Sequence, residues 1–169
     1  MTSIINLDPV GLSPLTAFVH DRIVGKGLHP VDIVTLTRSR FPDDSGFAAK
    51  LDATLLELHR RGELFPSSHD GGMQHRVLFK QKQDGANGCR VEVVCMNHQA
   101  PDNAFHIHPP EGELWRGVVV DGDPRFDGYP AGWGFFPGGS EHCPKVTGGT
   151  MILLYVWPEG VATFPRLQQ

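Results

Sequence analysis

From about Arg76 onward, the chain is a series of short apolar stretches separated by turns rich in glycine and proline. RVLFKQK and CRVEVVCMN flank QDGANG, whose Asp-Gly and Asn-Gly pairs favour the positive backbone dihedrals of a tight hairpin turn. Similar stretches follow at FHIH, ELWRGVVV, GWGFF and TMILLYVW, with no helical pattern between them. Most of the 20 glycines and 14 prolines fall in this half of the chain. The pattern therefore predicts an antiparallel β-sandwich or barrel.

The first 65 or so residues have a helical periodicity instead. Ser13 followed by Pro14 is typical of a helix start, and apolar residues then recur at helical spacing as far as Gly25. A second helix is predicted from about Pro30. The clearest helix is the third, FAAKLDATLLELHRRG, which has one apolar face and a basic last turn before a glycine. About three helices are therefore expected before the β-rich half.

Length and charge limit the kinds of protein this chain can be. The 169 residues suit one principal domain, which we divide into a helical segment at 1–68 and a barrel at 72–165. The formal net charge is -4, whereas a nucleic-acid-binding protein usually has an excess of basic residues. No apolar run approaches the roughly 20 residues that cross a bilayer. We expect no nucleic-acid or membrane partner, and a cytoplasmic location because the first residues lack a secretory-signal pattern.

The segment FHIHPPEGELWRG concentrates potential metal ligands. Residues two apart in a strand project from the same face, so His106 and His108 point the same way. Two imidazoles and a carboxylate suit a divalent metal, and either Glu111 or Glu113 can supply the carboxylate. His142, in the distant turn FFPGGSEHCPKVTGG, is a fourth candidate. An isolated HxH is more often an ordinary pair of strand histidines, but the combination of these elements favours a metal site.

The combination resembles the two motifs of the cupin superfamily. HIHPPEGE matches the first motif, HxHxxxxE, and PGGSEH matches the second, PxGxxH. The resemblance implies a mainly β fold, a cupin-like jelly-roll β-barrel, with the helical segment preceding it. It also implies one divalent metal ion, which can be Zn, Fe, Mn or Ni. The implied ligands are His106, His108, Glu113 and His142.

Two positions depart from the cupin motifs. Val120 stands where the first motif has a glycine, and Val146 stands where the second has an asparagine. Neither position supplies a ligand in the superfamily pattern, so the departures concern the geometry of the loops more than metal binding.

A closer resemblance is to the small cupin-like lyases that act on 4-hydroxylaminobenzoate. It rests on the helical start, the HxHP segment leading to a Gly-Glu pair, GWGFFPGGSEHCPKVTGG and the closing MILLYVWPEG. The resemblance implies an enzyme that converts this small aromatic acid to protocatechuate and ammonia, and small cupins commonly form homodimers. The lyase family's spacing before the glutamate is one residue shorter, which keeps the choice between Glu111 and Glu113 open.

Two other functions are compatible with the same residues. An Fe(II) cupin dioxygenase would use the same four ligands on a small organic substrate. A ligand-sensing cupin would bind a small molecule without catalysis. Retention of activity without oxygen would exclude the dioxygenase.

Other residues receive predicted roles around the metal. If Glu113 is the ligand, Glu111 is a candidate general acid, although a solvated turn position is its simpler interpretation. Trp115 shares the strand face of Glu113 and is predicted to line the substrate site. Arg116 points the opposite way, which makes it a poor partner for a substrate carboxylate. Arg90 and Lys80 are possible partners, although strand lysines and arginines are usually solvated. Further aromatic candidates are Trp133, Phe135, Tyr155 and Trp157.

Overall fold

The computed structural model describes residues 4–44, 46–67, 72–100 and 105–165. Within these ranges three helices come first: α1 (Ser13–Arg22), α2 (Pro30–Arg40) and α3 (Gly46–Arg60). The strands then follow in chain order: β1 (Met73–Phe79), β2 (Cys89–Met96), β3 (His106–Ile107), β4 (Glu113–Phe126), β5 (Gly132–Phe136), β6 (Glu141–His142) and β7 (Val146–Pro158). No helix of the described part is both long and apolar enough to cross a membrane.

The strands form two antiparallel sheets. The larger sheet has five strands in the order β1-β2-β7-β4-β5, and β3 pairs with β6 in a sheet of two. The last strand, β7, lies at the centre of the larger sheet between β2 and β4. The prediction of a mainly β fold with about three helices ahead of the strands is confirmed. Closure of the sheets as a jelly roll and the division at 1–68 and 72–165 stay predictions.

The larger sheet is buried on both faces because its strands alternate between two apolar clusters. On β2, Cys89 and Val91 pack in a cluster with the helices, which contribute Leu15 and Leu51 among others. On the opposite face of the same strand, Val94 and Met96 belong to a second cluster on the side away from the helices. Strands β4 and β7 alternate in the same way. The helical segment therefore covers one face of the sheet and leaves the other to the interior of the β-fold.

A buried arginine joins the helices to the sheet. Arg116 on β4 is 2% exposed, and its guanidinium donates to both carboxylate oxygens of Asp52 on α3, at 2.7 and 2.8 Å. It also donates to Asp43 at 2.8 Å and lies 4.7 Å above the ring of Trp133. Burial raises the pKa of Asp52, although the hydrogen bond and charge of Arg116 oppose that rise. The prediction that Arg116 points away from Trp115 is confirmed, since the two belong to opposite faces of β4.

Candidate metal centre

Two short strands bring the distant histidines together. Strands β3 and β6 pair so that His106 lies opposite His142, with their Nε2 atoms 3.2 Å apart. The turn before β6 packs tightly on the segment after β3: a side chain at Gly138 would place its Cβ 1.8 Å from the carbonyl oxygen of Pro110. One ring nitrogen from each of His106, His108 and His142 lies within 4.8 Å of the others. The structure therefore brings the three predicted histidines to one point.

Glu113 reaches the histidine cluster from the start of β4. Its Oε2 lies 3.6 Å from Nε2 of His108 and 3.9 Å from Nε2 of His106. The side chain is fully buried, and Oε2 accepts a hydrogen bond from Nε1 of Trp157 at 2.6 Å. Burial raises the pKa of Glu113 to about 8, although the Trp157 hydrogen bond acts to lower it. A carboxylate in this position needs a nearby positive charge to stay ionised.

The histidine rings are held in defined orientations by second partners. Nδ1 of His108 lies 2.9 Å from both the carbonyl oxygen and the hydroxyl of Ser140. Nδ1 of His142 is hydrogen-bonded to the carboxylate of Asp127. Partners of this kind fix the tautomer of a metal-binding histidine and aim its other nitrogen at the metal.

Unsatisfied polar atoms at the cluster test whether a metal fits. Nε2 of His108 and Oε1 of Glu113 are buried, and neither has a hydrogen-bond partner in the described part of the chain. Such an atom costs about 1–3 kcal/mol when nothing satisfies it. Burial, followed by the nearby His142 and His106, lowers the pKa of His108 to about 3, so this ring is in the neutral form that binds metals. The residues fit a divalent cation held by imidazole and carboxylate.

Glu111 lies outside this cluster. Its Oε2 accepts a hydrogen bond from the backbone nitrogen of Gly25, just after α1, at 3.2 Å. The carboxylate is thus turned towards the helical segment. Of the two candidate glutamates, the structure brings Glu113 to the histidines. The general-acid role of Glu111 stays a prediction without a contact that supports it.

Trp115 is buried among other aromatic rings. It packs against Phe126, Tyr129 and Phe136 at centroid distances of 5.0 to 6.1 Å. Its ring borders a groove between α2 and β5, and the cavity that reaches His106 has other walls. Phe136 connects this groove to the histidine cluster, because its ring stacks on that of His108 with centroids 5.0 Å apart. A direct substrate contact by Trp115 stays a prediction.

The cavity next to His106 has a volume of about 360 Å³. Tyr155, Trp157 and Phe164 contribute aromatic walls, so two of the further aromatic candidates border it. Burial, followed by the Glu113, Asp127 and Glu92 carboxylates, raises the pKa of Tyr155 well above its usual value, so its hydroxyl stays protonated.

The ionisable residues of this cavity are His75, Arg90 and Glu92. Sequence reasoning considered Arg90 as a possible partner of a substrate carboxylate but missed His75 and Glu92. Glu92 is buried, and its two carboxylate oxygens are hydrogen-bonded to His75 and Arg90. The expectation of a solvated Arg90 is wrong, since its side chain is only 20% exposed. The signal was present in CRVEVVCMN, whose two charged residues stand two apart and therefore share a strand face.

Comparison with known proteins gives one family. The model of the family described as PnbB, 4-hydroxylaminobenzoate lyase, matches residues 13–164. A search of curated protein sequences finds no match.

Solved structures with related folds include two enzymes. The DMSP lyase DddQ from Ruegeria pomeroyi DSS-3 is 17% identical, with a TM-score of 0.37; the match covers 59% of this chain and 57% of that one. An oxalate decarboxylase from Bacillus subtilis, described with Mn(II) centres, is 16% identical, also with a TM-score of 0.37. That match covers 59% of this chain and 29% of the decarboxylase. The chain thus spans little more than half of one of these proteins and less than a third of the other.

Proposed function

Because the chain belongs to the 4-hydroxylaminobenzoate lyase family, we propose that it is a metal-dependent lyase that converts 4-hydroxylaminobenzoate and water to protocatechuate and ammonia. The observation that carries the proposal is the family match over residues 13–164. The histidine cluster beside an aromatic-walled cavity supports it independently.

We assign the metal to His106, His108, Glu113 and His142. The orphaned Nε2 of His108 and Oε1 of Glu113 support this set, as do the partners of the histidine rings. When bound there, a divalent cation such as Zn, Fe, Mn or Ni would supply Lewis-acid chemistry towards an oxygen atom of the substrate. The residues around it do the remaining work, which is to bind the ring, exclude water and place protons.

The reaction consumes one water and is balanced without an external oxidant. When the N–O bond breaks, the hydroxyl leaves with the bonding electron pair, and the ring supplies the electrons that nitrogen needs. Nitrogen is therefore reduced while the ring is oxidised. The ring gains two oxygen atoms, one in place of nitrogen and one on the neighbouring carbon. Two waters supply them, the hydroxyl lost from nitrogen is released as water, and nitrogen leaves as ammonia, so the net reaction consumes one water. The hydroxyl that leaves nitrogen needs hydrogen-bond donors, and the protonated hydroxyl of Tyr155 provides one in the cavity wall. Trp157 both borders the cavity and holds Glu113 through its Nε1 donor.

The direct test is incubation of the purified protein with 4-hydroxylaminobenzoate, with protocatechuate and ammonia measured separately. We expect the two products in equal amounts, with and without oxygen. Activity that requires oxygen would point to the dioxygenase, and ligand binding without any product would point to the sensor.

Metal content is tested together with activity. We expect stoichiometric divalent metal in the wild type and its loss, with loss of activity, in His106→Ala and His142→Ala. His59→Ala, which changes a histidine at the end of α3, is the matched control and should keep both. Full activity in both cluster variants, or a metal-free active wild type, would contradict the metal assignment.

A homodimer and a cytoplasmic location remain proposals from the family expectation and the sequence. Sedimentation equilibrium of the purified protein tests the first.

A further inference from the structure

The cavity beside His106 is lined in part by ionisable residues that the metal proposal does not use. Its volume of about 360 Å³ falls within the roughly 300–1,000 Å³ range of small-molecule sites. Most of its lining is apolar, while Arg90, Glu92 and His75 from β1 and β2 contribute ionisable side chains. A site of this composition suits a small molecule with a flat apolar body and one charged group.

Buried Glu92 holds the guanidinium of Arg90 in place. Nε of Arg90 donates to Oε2 of Glu92 at 3.0 Å, and the other carboxylate oxygen is taken by Nε2 of His75. Since both oxygens of Glu92 are engaged, its negative charge is offset by partners on either side. The guanidinium is therefore oriented before any ligand binds.

The terminal nitrogens of Arg90 remain available. In the described part of the chain, the hydrogen bond of Arg90 to Glu92 uses Nε, and none is formed by Nη1 or Nη2. The side chain is four-fifths shielded from solvent. A planar guanidinium with free terminal donors matches the two oxygens of a carboxylate.

We propose that Arg90 binds the carboxylate of the substrate and so makes the cavity selective for small aromatic carboxylates over uncharged aromatic compounds. The ring then lies between the walls contributed by Tyr155, Trp157 and Phe164, and the group to be transformed lies at the His106 end of the same cavity. The identity of that reacting group rests on the proposed function. The carboxylate site itself rests on Arg90 and its partners.

The binding test compares benzoate with its uncharged isostere benzamide on the metal-loaded protein by titration calorimetry. We expect the wild type to bind benzoate at least about tenfold more tightly than benzamide, because charge-assisted hydrogen bonds are the stronger ones. Arg90→Met should weaken benzoate binding by about 10- to 100-fold and leave benzamide binding unchanged. Arg125→Met is the matched control, since Arg125 lies on β4 outside the cavity lining and should behave as wild type.

Two further variants keep the test decisive. Arg90→Lys keeps the charge but loses the planar fork, so its benzoate affinity should fall between those of the wild type and Arg90→Met even if the latter folds poorly. His106→Ala separates the carboxylate site from direct binding at the histidine cluster. Benzoate affinity that is lost in His106→Ala and unchanged in Arg90→Met would overturn the proposal. An equal loss of benzoate and benzamide in Arg90→Met would also overturn it, because that result indicates a structural role.

Turnover distinguishes this inference from the proposed function. If the wild type forms no protocatechuate but binds benzoate through Arg90, the lyase proposal fails and the carboxylate site stands. If the wild type is an active lyase, Arg90→Met should raise KM for 4-hydroxylaminobenzoate by about 10- to 100-fold, with a smaller change in kcat. An unchanged KM together with an unchanged benzoate affinity would leave the lyase standing and reject the carboxylate site.

Discussion

At the scale of single residues, Arg116 is expected to contribute strongly to stability, because it is a buried charge on β4 whose carboxylate partners, Asp43 and Asp52, belong to the helical segment. Replacing Arg116 by Met leaves the carboxylate of Asp52 on α3, which is already partly buried, without its cation. Loss of one partner of a buried ion pair typically costs about 3–5 kcal/mol, and the partial exposure of Asp52 and Asp43 reduces this. We expect Arg116→Met to lower the free energy of unfolding by about 2–4 kcal/mol in urea denaturation.

The control is Arg60→Met, which removes an exposed arginine paired with Glu57 within α3. Exposed pairs contribute little, so this variant should unfold close to the wild type. Equal stability of Arg116→Met and Arg60→Met would mean that Arg116 does not anchor the helices.

The buried carboxylate of Glu92 predicts how the stability of the fold depends on pH. Burial alone would raise its pKa, but the hydrogen bonds and charges of His75 and Arg90 outweigh burial and lower it below the ordinary value of 4.5. A lowered carboxylate pKa stabilises the fold above the unfolded-state value and loses that effect as the pH falls through the folded-state value. The stability difference between wild type and Glu92→Gln should therefore be largest above about pH 4.5 and shrink below it. Urea unfolding of both proteins across this range checks it, and a constant difference would contradict it.

Residue-level prediction succeeded where strand alternation decides the direction of a side chain and left the choice open where a turn decides it. Alternation correctly separated Trp115 from Arg116 and placed His106 and His108 together. The direction of Glu111 depends on its contact with Gly25, which is 86 residues away in the chain, and no local pattern encodes that contact.

At the scale of elements, β2 is a strand with no solvent face. Burial raises the pKa of Cys89 to about 12 and that of Cys95 to about 11. Thiols that are both buried and protonated are poor nucleophiles. In the folded protein at pH 8, we expect iodoacetamide to leave both cysteines unmodified, whereas denaturant should expose both to labelling. Peptide mass spectrometry measures this, and rapid native labelling of either one would show that the helices do not cover β2 tightly.

The elements themselves could be predicted to different degrees. The three helices and the longer strands have strong periodicity, and their existence was predicted correctly. The position of β7 between β2 and β4 was not, because strand order depends on which apolar faces meet after the chain has turned several times. The triad of His75, Arg90 and Glu92 was missed for a related reason, since it needs two strands to be paired in register.

At the scale of the whole molecule, the helical segment and the β-rich part share one apolar cluster. Leu15 and Leu51 of the helices contact the same cluster as Val93, Ile152 and Leu154 of the sheet. A protein truncated to residues 72–165 would expose this sheet face to water, which favours aggregation. We expect the truncated chain to be insoluble or unfolded by circular dichroism, and the full chain to unfold in one transition. A soluble, cooperatively folding fragment would contradict this and support two independent domains.

The alternation of side chains along β2 determines which substitutions can alter the cavity without disturbing the fold. Residues 89, 91, 93 and 95 pack with the helices, whereas residues 90, 92, 94 and 96 line the cavity. Substitutions at Val94 and Met96 can reshape the space available to a ligand while the packing residues between them keep the scaffold intact. One face of β2 thus maintains the fold while the other can change the specificity of the cavity. Directed evolution towards other aromatic substrates should therefore begin at these two positions.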